Sequence, residues 1–446
     1  LSIWQDTVVG RGEMRIFGDE RKFTEKKQFR LYPGPEGWLI EEQPGTTNRT
    51  KLNGTPLPRG RWRWRTAASC RSGRSNCRSS SSTEASGRLP VPMPPGGGCV
   101  SYVTENFDRL LQSFADDPHL LTPGGHLLDF SAEEEVVSLV VGDLHGDFAT
   151  LDETFRFFEE LKRQEGGHRY RWIFLGDYVD RGPNSGALLD YLLRFRMEKM
   201  ANDRTDDVYL LRGNHEDWQA GPQGVYTPVA GDPGQTLFLD TLPEPEREQY
   251  RALFAALPVV AFLPGKVMLV HGGIPKPAGF PPEVDFPGVS DRASLENPEL
   301  LSQMLWGDPV AVDWRIVAGT RFEFGRKQCE HFMERLDLAV IVRGHEPVAG
   351  GFRADYDGRV LTVFSSGAPS AETSYPMVET PALLVMGPDR YSVFRRQQGG
   401  EALFVEEQCP LPRSLKAERD EAAARIREEE LRAAQEAADQ LDSLNY

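Results

Sequence analysis

Two kinds of hydrophobic pattern alternate along the chain after residue 100. Short runs of apolar, often β-branched residues recur between segments in which apolar positions return every three or four residues. Runs of the first kind are typical of buried strands, and segments of the second kind are typical of amphipathic helices. The pattern predicts helices at 148–161 and 185–200, and strands at 136–141, 172–175, 208–211, 267–270, 338–342, 360–364 and 382–386. We therefore predict one α/β domain over residues 99–405.

The first hundred residues carry a different pattern. Strand-like pieces at 29–31, 37–40 and 50–52 are separated by Pro-Gly and Asn-Gly turn signals, which predicts a small all-β module over residues 1–60. Residues 61–98 are rich in Ser, Arg, Gly and Pro. Such a composition cannot bury enough apolar surface to fold, so it predicts a disordered linker. The alternating Arg and Trp at its start would also suit RNA contact, but a solvated basic linker is the favoured interpretation.

The end of the chain predicts a charged helical tail. Residues 413–446 are rich in Ala, Glu and Arg, with no Gly or Pro after Pro412. Their apolar positions, such as Ile426 and Leu431, do not hold a heptad. This favours a solvated helix over a coiled-coil partner helix.

Charge and composition narrow the functional classes. The net charge of −16 and the pI near 5.1 argue against a nucleic-acid partner bound by bulk electrostatics. No apolar run approaches the ~18 residues of a membrane span, so no membrane partner is expected. Five irregularly spaced cysteines without a CxxC motif fit a reducing compartment, and we expect a cytoplasmic location. The chain begins with Leu, as a processed or truncated product would, and no signal peptide is predicted.

Five polar motifs follow predicted strands. Four of the eight histidines in the chain lie inside them. Open α/β sheets place ligands at the carboxyl ends of their strands, so these motifs are expected to meet. They are the segments 142–146 (Gly-Asp-Leu-His-Gly), 176–182 (Gly-Asp-Tyr-Val-Asp-Arg-Gly), 212–216 (Arg-Gly-Asn-His-Glu), 271–273 (His-Gly-Gly) and 343–346 (Arg-Gly-His-Glu).

The motifs supply a set of metal donors without a thiolate: Asp143, His145, Asp177, Asn214, His271 and His345. Carboxylate, amide and imidazole ligands suit Mn²⁺, Fe or Zn²⁺. Six ligands are too many for one catalytic ion that must keep an open position. Two divalent ions with one bridging carboxylate solve this, and such ions, ~3.5–4 Å apart, activate water and stabilise an in-line displacement. The motifs therefore predict hydrolysis of a phosphoester.

The segment from about 136 to 370 resembles the catalytic domain of the phosphoprotein phosphatase family, within the calcineurin-like metallophosphoesterases. The three motifs at 142–146, 176–182 and 212–216 appear in that family's order, and 257–260 and 306–309 resemble its later landmarks. The wording Leu-Arg-Gly-Asn-His-Glu is closest to the serine/threonine phosphatases. The resemblance implies a β-sandwich flanked by helices and a phosphoprotein substrate that carries phosphoserine or phosphothreonine.

The resemblance also implies a role for each site residue. Asp143 and His145 would hold the first ion, Asp177 would bridge, and the second ion would bind Asn214, His271 and His345.

His215 would be the general acid that protonates the leaving alkoxide, oriented by Asp180. Arg181 would bind the phosphate oxygens, with Arg212 nearby as a second donor.

Two departures from the family pattern affect substrate binding. The family's second phosphate-binding arginine corresponds to Ala318, so Arg321 or Arg315 would have to replace it. The family's Ser-Ala-Pro-Asn-Tyr loop is replaced by residues 365–370, which lack the tyrosine, although Tyr375 lies close by in the sequence. We expect a working metal site with altered substrate selectivity and weak sensitivity to the family's toxin inhibitors.

The segment 45–57 resembles the Asn-x-Thr-x-x-Asn-Gly region of forkhead-associated domains, which bind phosphothreonine peptides. Glu25 would then stand where that family carries a serine that contacts phosphate. The resemblance implies a protein partner bound through the N-terminal module. The alternative is a β-rich docking module without phosphopeptide binding.

Two other functions fit parts of the sequence. A hydrolase of dinucleoside polyphosphates or other small molecules would share the metal motifs. A scaffold protein with vestigial catalysis would rely on its N-terminal module and tail, but the complete ligand set argues against it.

Overall fold

The computed structural model describes residues 101–444 except 166–167, 203–205, 221–225, 229–235, 280–283, 316–318, 320 and 398–403, together with short strands between residues 7 and 63. The chain divides into two compact units, Leu1–Ala85 and Ser86–Tyr446. Within the described residues, no helix is long and apolar enough to cross a membrane.

The N-terminal unit contains an antiparallel sheet with the order β1-β2-β3-β6 and a hairpin of β4 and β5. The strands are β1 (Thr7–Val9), β2 (Phe29–Gly34), β3 (Gly37–Glu42), β4 (Lys51–Leu52), β5 (Thr55–Pro56) and β6 (Arg61–Arg63). The strand β6, which lies at the start of the predicted linker, pairs with residues 39–41 of β3. The remainder of that linker, and the forkhead-associated-like positions Glu25 and Asn48, lie outside the described residues.

The second unit alternates strands and helices. Its strands are β7 (Leu127–Asp129), β8 (Val136–Val141), β9 (Arg169–Phe174), β10 (Asp206–Leu210), β11 (Trp218–Ala220), β12 (Tyr226–Pro228), β13 (Val260–Leu263), β14 (Val267–Val270), β15 (Gly307–Pro309), β16 (Phe322–Phe324), β17 (Val340–Arg343), β18 (Phe352–Asp355), β19 (Val360–Val363), β20 (Ala382–Met386), β21 (Arg390–Arg396) and β22 (Phe404–Pro410). Its helices are α1 (Tyr102–Ala115), α2 (Phe148–Glu165), α3 (Ser185–Asn202), α4 (Glu244–Ala256), α5 (Pro298–Met304), α6 (Arg326–Leu336) and α7 (Leu415–Leu444).

Two six-stranded sheets form the centre of this unit. The first has the order β10-β9-β8-β20-β21-β22 and the second the order β18-β19-β17-β14-β13-β7. One hydrophobic core draws on both sheets, including Val140 and Ile173 from the first and Leu269 and Val342 from the second, all fully buried. The sheets therefore pack face to face as a sandwich, as the resemblance implied.

Helices cover the outer faces of the sandwich. The first sheet packs its outer face against α1, α2, α3 and α4 through a core that includes Trp172 and Leu192. The second sheet packs against α5 and α6 through a core that includes Met268 and Phe332. This four-layer arrangement of helix, sheet, sheet and helix confirms the predicted fold class.

The strands β8, β9 and β10 run parallel to one another, as do β14 and β17. Their carboxyl ends lead directly into the five polar motifs. The topology therefore explains why motifs that lie far apart in the sequence meet at one edge of the sandwich.

The last strand of the second unit continues past residue 405, the predicted end of the catalytic domain. Strand β22 extends to Pro410 and pairs along its whole length with β21. The helix α7 lies within the range in which the charged tail was predicted. Its start is attached to the domain, because Arg359 donates to Arg413 O at 2.9 Å and to Glu418 at 2.7 Å.

Candidate active site

The first group of predicted ligands lies after β8 and β9. His145 Nε2 is 3.2 Å from Asp177 Oδ2 and 3.9 Å from Asp143 Oδ2. The other ring nitrogen, Nδ1, donates to Val179 O at 2.9 Å. This hydrogen bond directs Nε2, the nitrogen that would bind a metal ion, toward the two carboxylates.

The second group of predicted ligands lies after β10, β14 and β17. His271 donates from Nδ1 to Leu175 O at 3.0 Å, which turns its Nε2 toward Asn214 Oδ1 at 2.8 Å. His345 Nδ1 is 3.0 Å from the same oxygen and 3.2 Å from His271 Nε2. His271 Nε2 is also 3.4 Å from Asp177 Oδ1, so Asp177 faces both groups.

These residues fit two metal ions. In the described part of the chain, the buried atom Asp143 Oδ2 has no hydrogen-bond partner and lies 3.9 Å from His145 Nε2. A buried carboxylate oxygen without a donor is unfavourable unless a cation or proton lies beside it. Among the described residues, two groups bring their ligand atoms within 4.8 Å of one another, and Asp177 belongs to both: His145–Asp177–His215 and Asp177–His271–His345.

The electrostatics of the two groups differ. Burial alone would lower the pKa of His145, but the charges of Asp177 and Asp143 raise it to about 9. Burial would raise the pKa of Asp177, but His271 and other histidines hold it well below its usual range. For His345, burial and the charge of His271 lower the pKa well below its usual range. At neutral pH, His345 is therefore a neutral ligand, whereas His145 holds a proton that an ion must displace.

The predicted acid and its orienting residue are in contact. His215 Nδ1 lies 2.7 Å from Asp180 Oδ2, and both side chains are buried. The second carboxylate oxygen, Asp180 Oδ1, accepts from Phe238 N at 2.6 Å. The ring of His215 also packs edge-on against His145, with 4.7 Å between the centroids. Asp180 thus orients the ring of His215 beside the first ligand group.

The three arginines predicted to bind phosphate have different environments. Arg181 follows Asp180 in a left-handed backbone conformation (φ 67°). Arg212 does not join the group: its guanidinium donates to Ala255 O and Leu257 O at the C-terminal end of α4. These bonds satisfy carbonyl groups that a helix end leaves without partners, and phosphate binding by Arg212 stays a prediction.

Arg321 lies beside the second ligand group. Its Nε donates to Asp308 Oδ2 at 2.7 Å, and Asp308 Oδ1 is 3.8 Å from His345 Nε2. Arg315 instead pairs with Glu323 at 2.6 Å. The family-matching position, Ala318, lies outside the described residues. Of the two replacement arginines considered from the sequence, the structure brings Arg321 to the site.

Glu216 is a site residue to which sequence reasoning gave no role. Its carboxylate accepts from the backbone N–H groups of Asp177, Tyr178 and Gly213 at 2.9 Å each. Burial and the charge of Asp177 raise its pKa to about 7. The residue ties the loop of Asp177 to the loop of Asn214. The sequence could have indicated a role for Glu216, because it is the last residue of the Arg-Gly-Asn-His-Glu motif.

Tyr375 lies over the first ligand group. Its ring centroid is 5.2 Å from that of His145 and 4.8 Å from that of Phe364. The tyrosine that the family carries earlier in this loop is absent from residues 365–370. A tyrosine from farther along the same loop therefore reaches the site.

Comparisons with known proteins agree with this geometry. A family model described as calcineurin-like phosphoesterase matches residues 137–349. The serine/threonine-protein phosphatase 4 catalytic subunit of Eremothecium gossypii is 30% identical over 230 residues, which are 51% of this chain and 67% of that protein. Serine/threonine-protein phosphatase 5 of Arabidopsis thaliana is 29% identical over 248 residues, 54% of this chain and 41% of that protein.

Among solved structures, a protein serine/threonine phosphatase from Saccharomyces cerevisiae covers 69% of this chain and 88% of its own, with 20% identity and a TM-score of 0.47. The family model covers the segment that contains all five motifs. The chain belongs to the phosphoprotein phosphatase family of serine/threonine phosphatases, within the calcineurin-like phosphoesterases.

Proposed function

We propose that this protein hydrolyses phosphoserine and phosphothreonine in protein substrates, with two divalent metal ions bound at the edge of the sandwich. The observation that carries the proposal is the position of Asp177. Asp177 belongs to two groups of potential ligand atoms, and one of these groups also contains His215, which is hydrogen-bonded to Asp180. Metal ions at such a site supply an activated water and neutralise charge on the phosphoryl group.

In this proposal each site residue has one role. Asp143 and His145 would hold the first ion. Asn214, His271 and His345 would hold the second, and Asp177 would be a ligand of both.

His215 keeps Nδ1 on Asp180 at 2.7 Å, so its Nε2 is the atom that carries the transferable proton. That proton passes to the leaving oxygen of the serine or threonine, which is a poor leaving group as an alkoxide. The carboxylate of Asp180 holds the ring in the orientation that directs Nε2 away from the pair.

Two arginines bind the phosphate in this proposal. Arg181 extends from the same loop as Asp180 and supplies a planar fork of donors for two phosphate oxygens. Arg321 supplies the second fork and is anchored through Nε by Asp308. Its side chain is 56% exposed, which leaves the terminal nitrogens accessible to a substrate.

The proposal extends to features beyond the ligand groups. The donor set of carboxylate, amide and imidazole supports Mn²⁺, Fe or Zn²⁺ as the ions. We also propose that the N-terminal unit binds a protein partner, with a forkhead-associated-like use of its sheet, and that the protein acts in the cytoplasm. Metal analysis of the purified protein, a phosphopeptide-binding assay with residues 1–85, and imaging of the tagged protein test these points in turn.

Replacing the bridging ligand tests the activity. Asp177→Asn keeps the shape of the side chain and removes its charge. We expect the variant to lose metal and at least about a thousandfold of the turnover of phosphopeptides and of a generic aryl phosphate. Turnover that is unchanged in the metal-depleted variant would refute a metal-dependent mechanism. Preference of the wild-type protein for diadenosine tetraphosphate over phosphopeptides would instead assign it to small-molecule hydrolysis.

The general acid has its own test. His215→Asn should keep the metal content and slow the hydrolysis of alkyl phosphates far more than that of aryl phosphates, because a phenolate leaves without a proton. Equal losses on both classes of substrate would show that His215 does not protonate the leaving group.

A further inference from the structure

The segment 365–378, called the wall loop here, is attached to the first metal-binding motif. It follows β19. Gly142 N donates to Ser365 Oγ at 2.8 Å, and Ser366 N donates to Asp143 O at 3.0 Å. The loop therefore begins in direct contact with the backbone that carries the ligand Asp143.

Asp147 forms a second attachment of the wall loop. The residue is fully buried, two positions after the ligand His145. From the loop, Ser366 Oγ donates to its Oδ2 at 2.8 Å and Ser370 Oγ donates to its Oδ1. From helix α2, Thr150 donates to the same carboxylate through its N–H at 3.1 Å and its hydroxyl at 2.8 Å. One buried carboxylate thus holds the loop against the start of the helix.

The far part of the wall loop reaches the candidate active site. Glu372 accepts from Ala149 N at 3.0 Å in the first turn of α2, and Tyr375 lies on the ring of His145. Burial raises the pKa of the Tyr375 phenol, and the positive charge of Arg181 acts in the opposite direction. The phenol is therefore near the arginine that is proposed to bind phosphate.

We propose that Asp147 is a positioning residue that fixes the wall loop, so that Tyr375 forms the side of the substrate pocket next to His145. The proposal rests on the phosphatase function proposed above. A buried carboxylate is costly without hydrogen-bond donors, and two of the donors to Asp147 are the hydroxyls of Ser366 and Ser370. Loss of these two hydroxyl donors releases the wall loop, and it removes neither a metal ligand nor the general acid. The wall loop contacts the part of the substrate outside the phosphate. The wall loop therefore affects the binding of a peptide more than it affects the rate of the chemical step.

The test removes hydrogen bonds to Asp147 in two different ways, in the full-length protein loaded with Mn²⁺. Ser366→Ala with Ser370→Ala removes the hydroxyl donors on the loop side. Thr150→Val removes the hydroxyl donor on the helix side and keeps the volume of a buried residue. For the serine variant we expect KM for a phosphopeptide to rise about tenfold, the effect of losing a hydrogen bond to a charged acceptor, with kcat within about threefold. For Thr150→Val both constants should stay within about twofold.

Hydrogen exchange supplies a readout that does not depend on activity. Amide exchange across residues 366–378 should become faster in the serine variant and in Asp147→Asn, but not in Thr150→Val. Metal content should remain that of the wild type in all three. Equal effects of the serine and threonine variants, or an unchanged KM and exchange rate in the serine variant, would overturn the proposal. A wild-type protein that hydrolyses no phosphopeptide would refute the proposed function, while the exchange comparison would still decide whether Asp147 holds the loop.

Discussion

At the scale of single residues, Glu216 connects two ligand loops through one carboxylate. Glu216→Ala leaves three buried N–H groups, those of Asp177, Tyr178 and Gly213, without an acceptor. Each such loss costs about 1–3 kcal/mol, so we expect the free energy of unfolding to fall by about 3 kcal/mol or more and the metal content to drop. Denaturant unfolding and metal analysis measure both. Glu248→Ala, an exposed partner of Arg251, is the control, and an equal effect there would contradict the assignment.

Arg321 and Arg315 form a matched pair for testing the second phosphate arginine. Both lie in the same segment and each pairs with one carboxylate, Asp308 or Glu323. We expect Arg321→Ala to lower kcat/KM for phosphopeptides about a hundredfold, because charge-assisted donors to phosphate are lost in the transition state. Arg315→Ala should change it less than about twofold. Steady-state kinetics decide, and a larger loss for Arg315→Ala would reverse the assignment.

The raised pKa of His145 gives metal binding a pH dependence with a defined sign. In the metal-free protein this pKa is about 9 instead of 6.5. The protonated ring contributes stability that is complete below pH 6.5 and is lost as the pH rises through 9. The ion at the first ligand group competes with that proton, so its apparent affinity should rise with pH up to about 9. Calorimetry in buffers of different ionisation enthalpy should detect one released proton near neutral pH, and binding without proton release would contradict this.

The identity of the donors could be predicted from the sequence, but the arrangement around them could not. Asp143 and His271 each follow an apolar strand closely, and this is a signal that the local sequence supplies. The loops also adopt strained backbone that no pattern encodes: among the described residues, five of the nine non-glycine residues with positive φ are His145, Asp177, Asp180, Arg181 and His345. The sequence also could not show the partners of Arg212. Its side chain binds carbonyl groups at a helix end, and these come from a distant segment.

At the scale of elements, the first turns of α7 are attached to the domain through Arg359. This arginine is buried and donates to Glu418 at 2.7 Å. Glu418→Gln should lower the free energy of unfolding by about 1 kcal/mol, since Glu418 is half exposed and the pair is partly screened. Glu421→Gln, on the same helix and paired with the exposed Arg413, should change it by less than about 0.5 kcal/mol. Thermal and denaturant unfolding compare the two, and indistinguishable variants would refute a role for the pair.

The bounds of some buried strands could be predicted from their apolar runs, although β13, which is buried at every position, was missed. The strands β8, β14 and β20 have the bounds that their apolar runs predicted. The strands β18 and β22 were missed because they lie at sheet edges, where one side needs no apolar residues. Their sequences, Phe-Arg-Ala-Asp and Phe-Val-Glu-Glu-Gln-Cys-Pro, carry no continuous hydrophobic run. Edge strands of this kind give weak periodic signals by nature.

At the scale of the whole molecule, the sandwich brings together residues that the chain separates widely. Asp143 Oδ1 accepts from His345 N at 2.9 Å across 202 positions. Such a contact follows from the way the two sheets pack on each other, and hydrophobic periodicity does not determine that packing. Here the order of the motifs, through the resemblance to a known family, predicted the sandwich, whereas the pattern alone predicted an α/β domain without its layers.

The division of the chain predicts that catalysis belongs to the second unit. Ser86–Tyr446 contains both six-stranded sheets, all six predicted metal ligands and the pair of His215 and Asp180. A compact unit with its own hydrophobic cores is expected to fold alone. A protein that starts at residue 86 should therefore keep its metal content and its kcat/KM for a small aryl phosphate within about twofold of the full-length value. Metal analysis and kinetics on both proteins make the comparison. Loss of the ions from the shortened protein would mean that the first 85 residues support the metal site, whereas a loss confined to phosphopeptide substrates would assign the N-terminal unit to substrate recruitment.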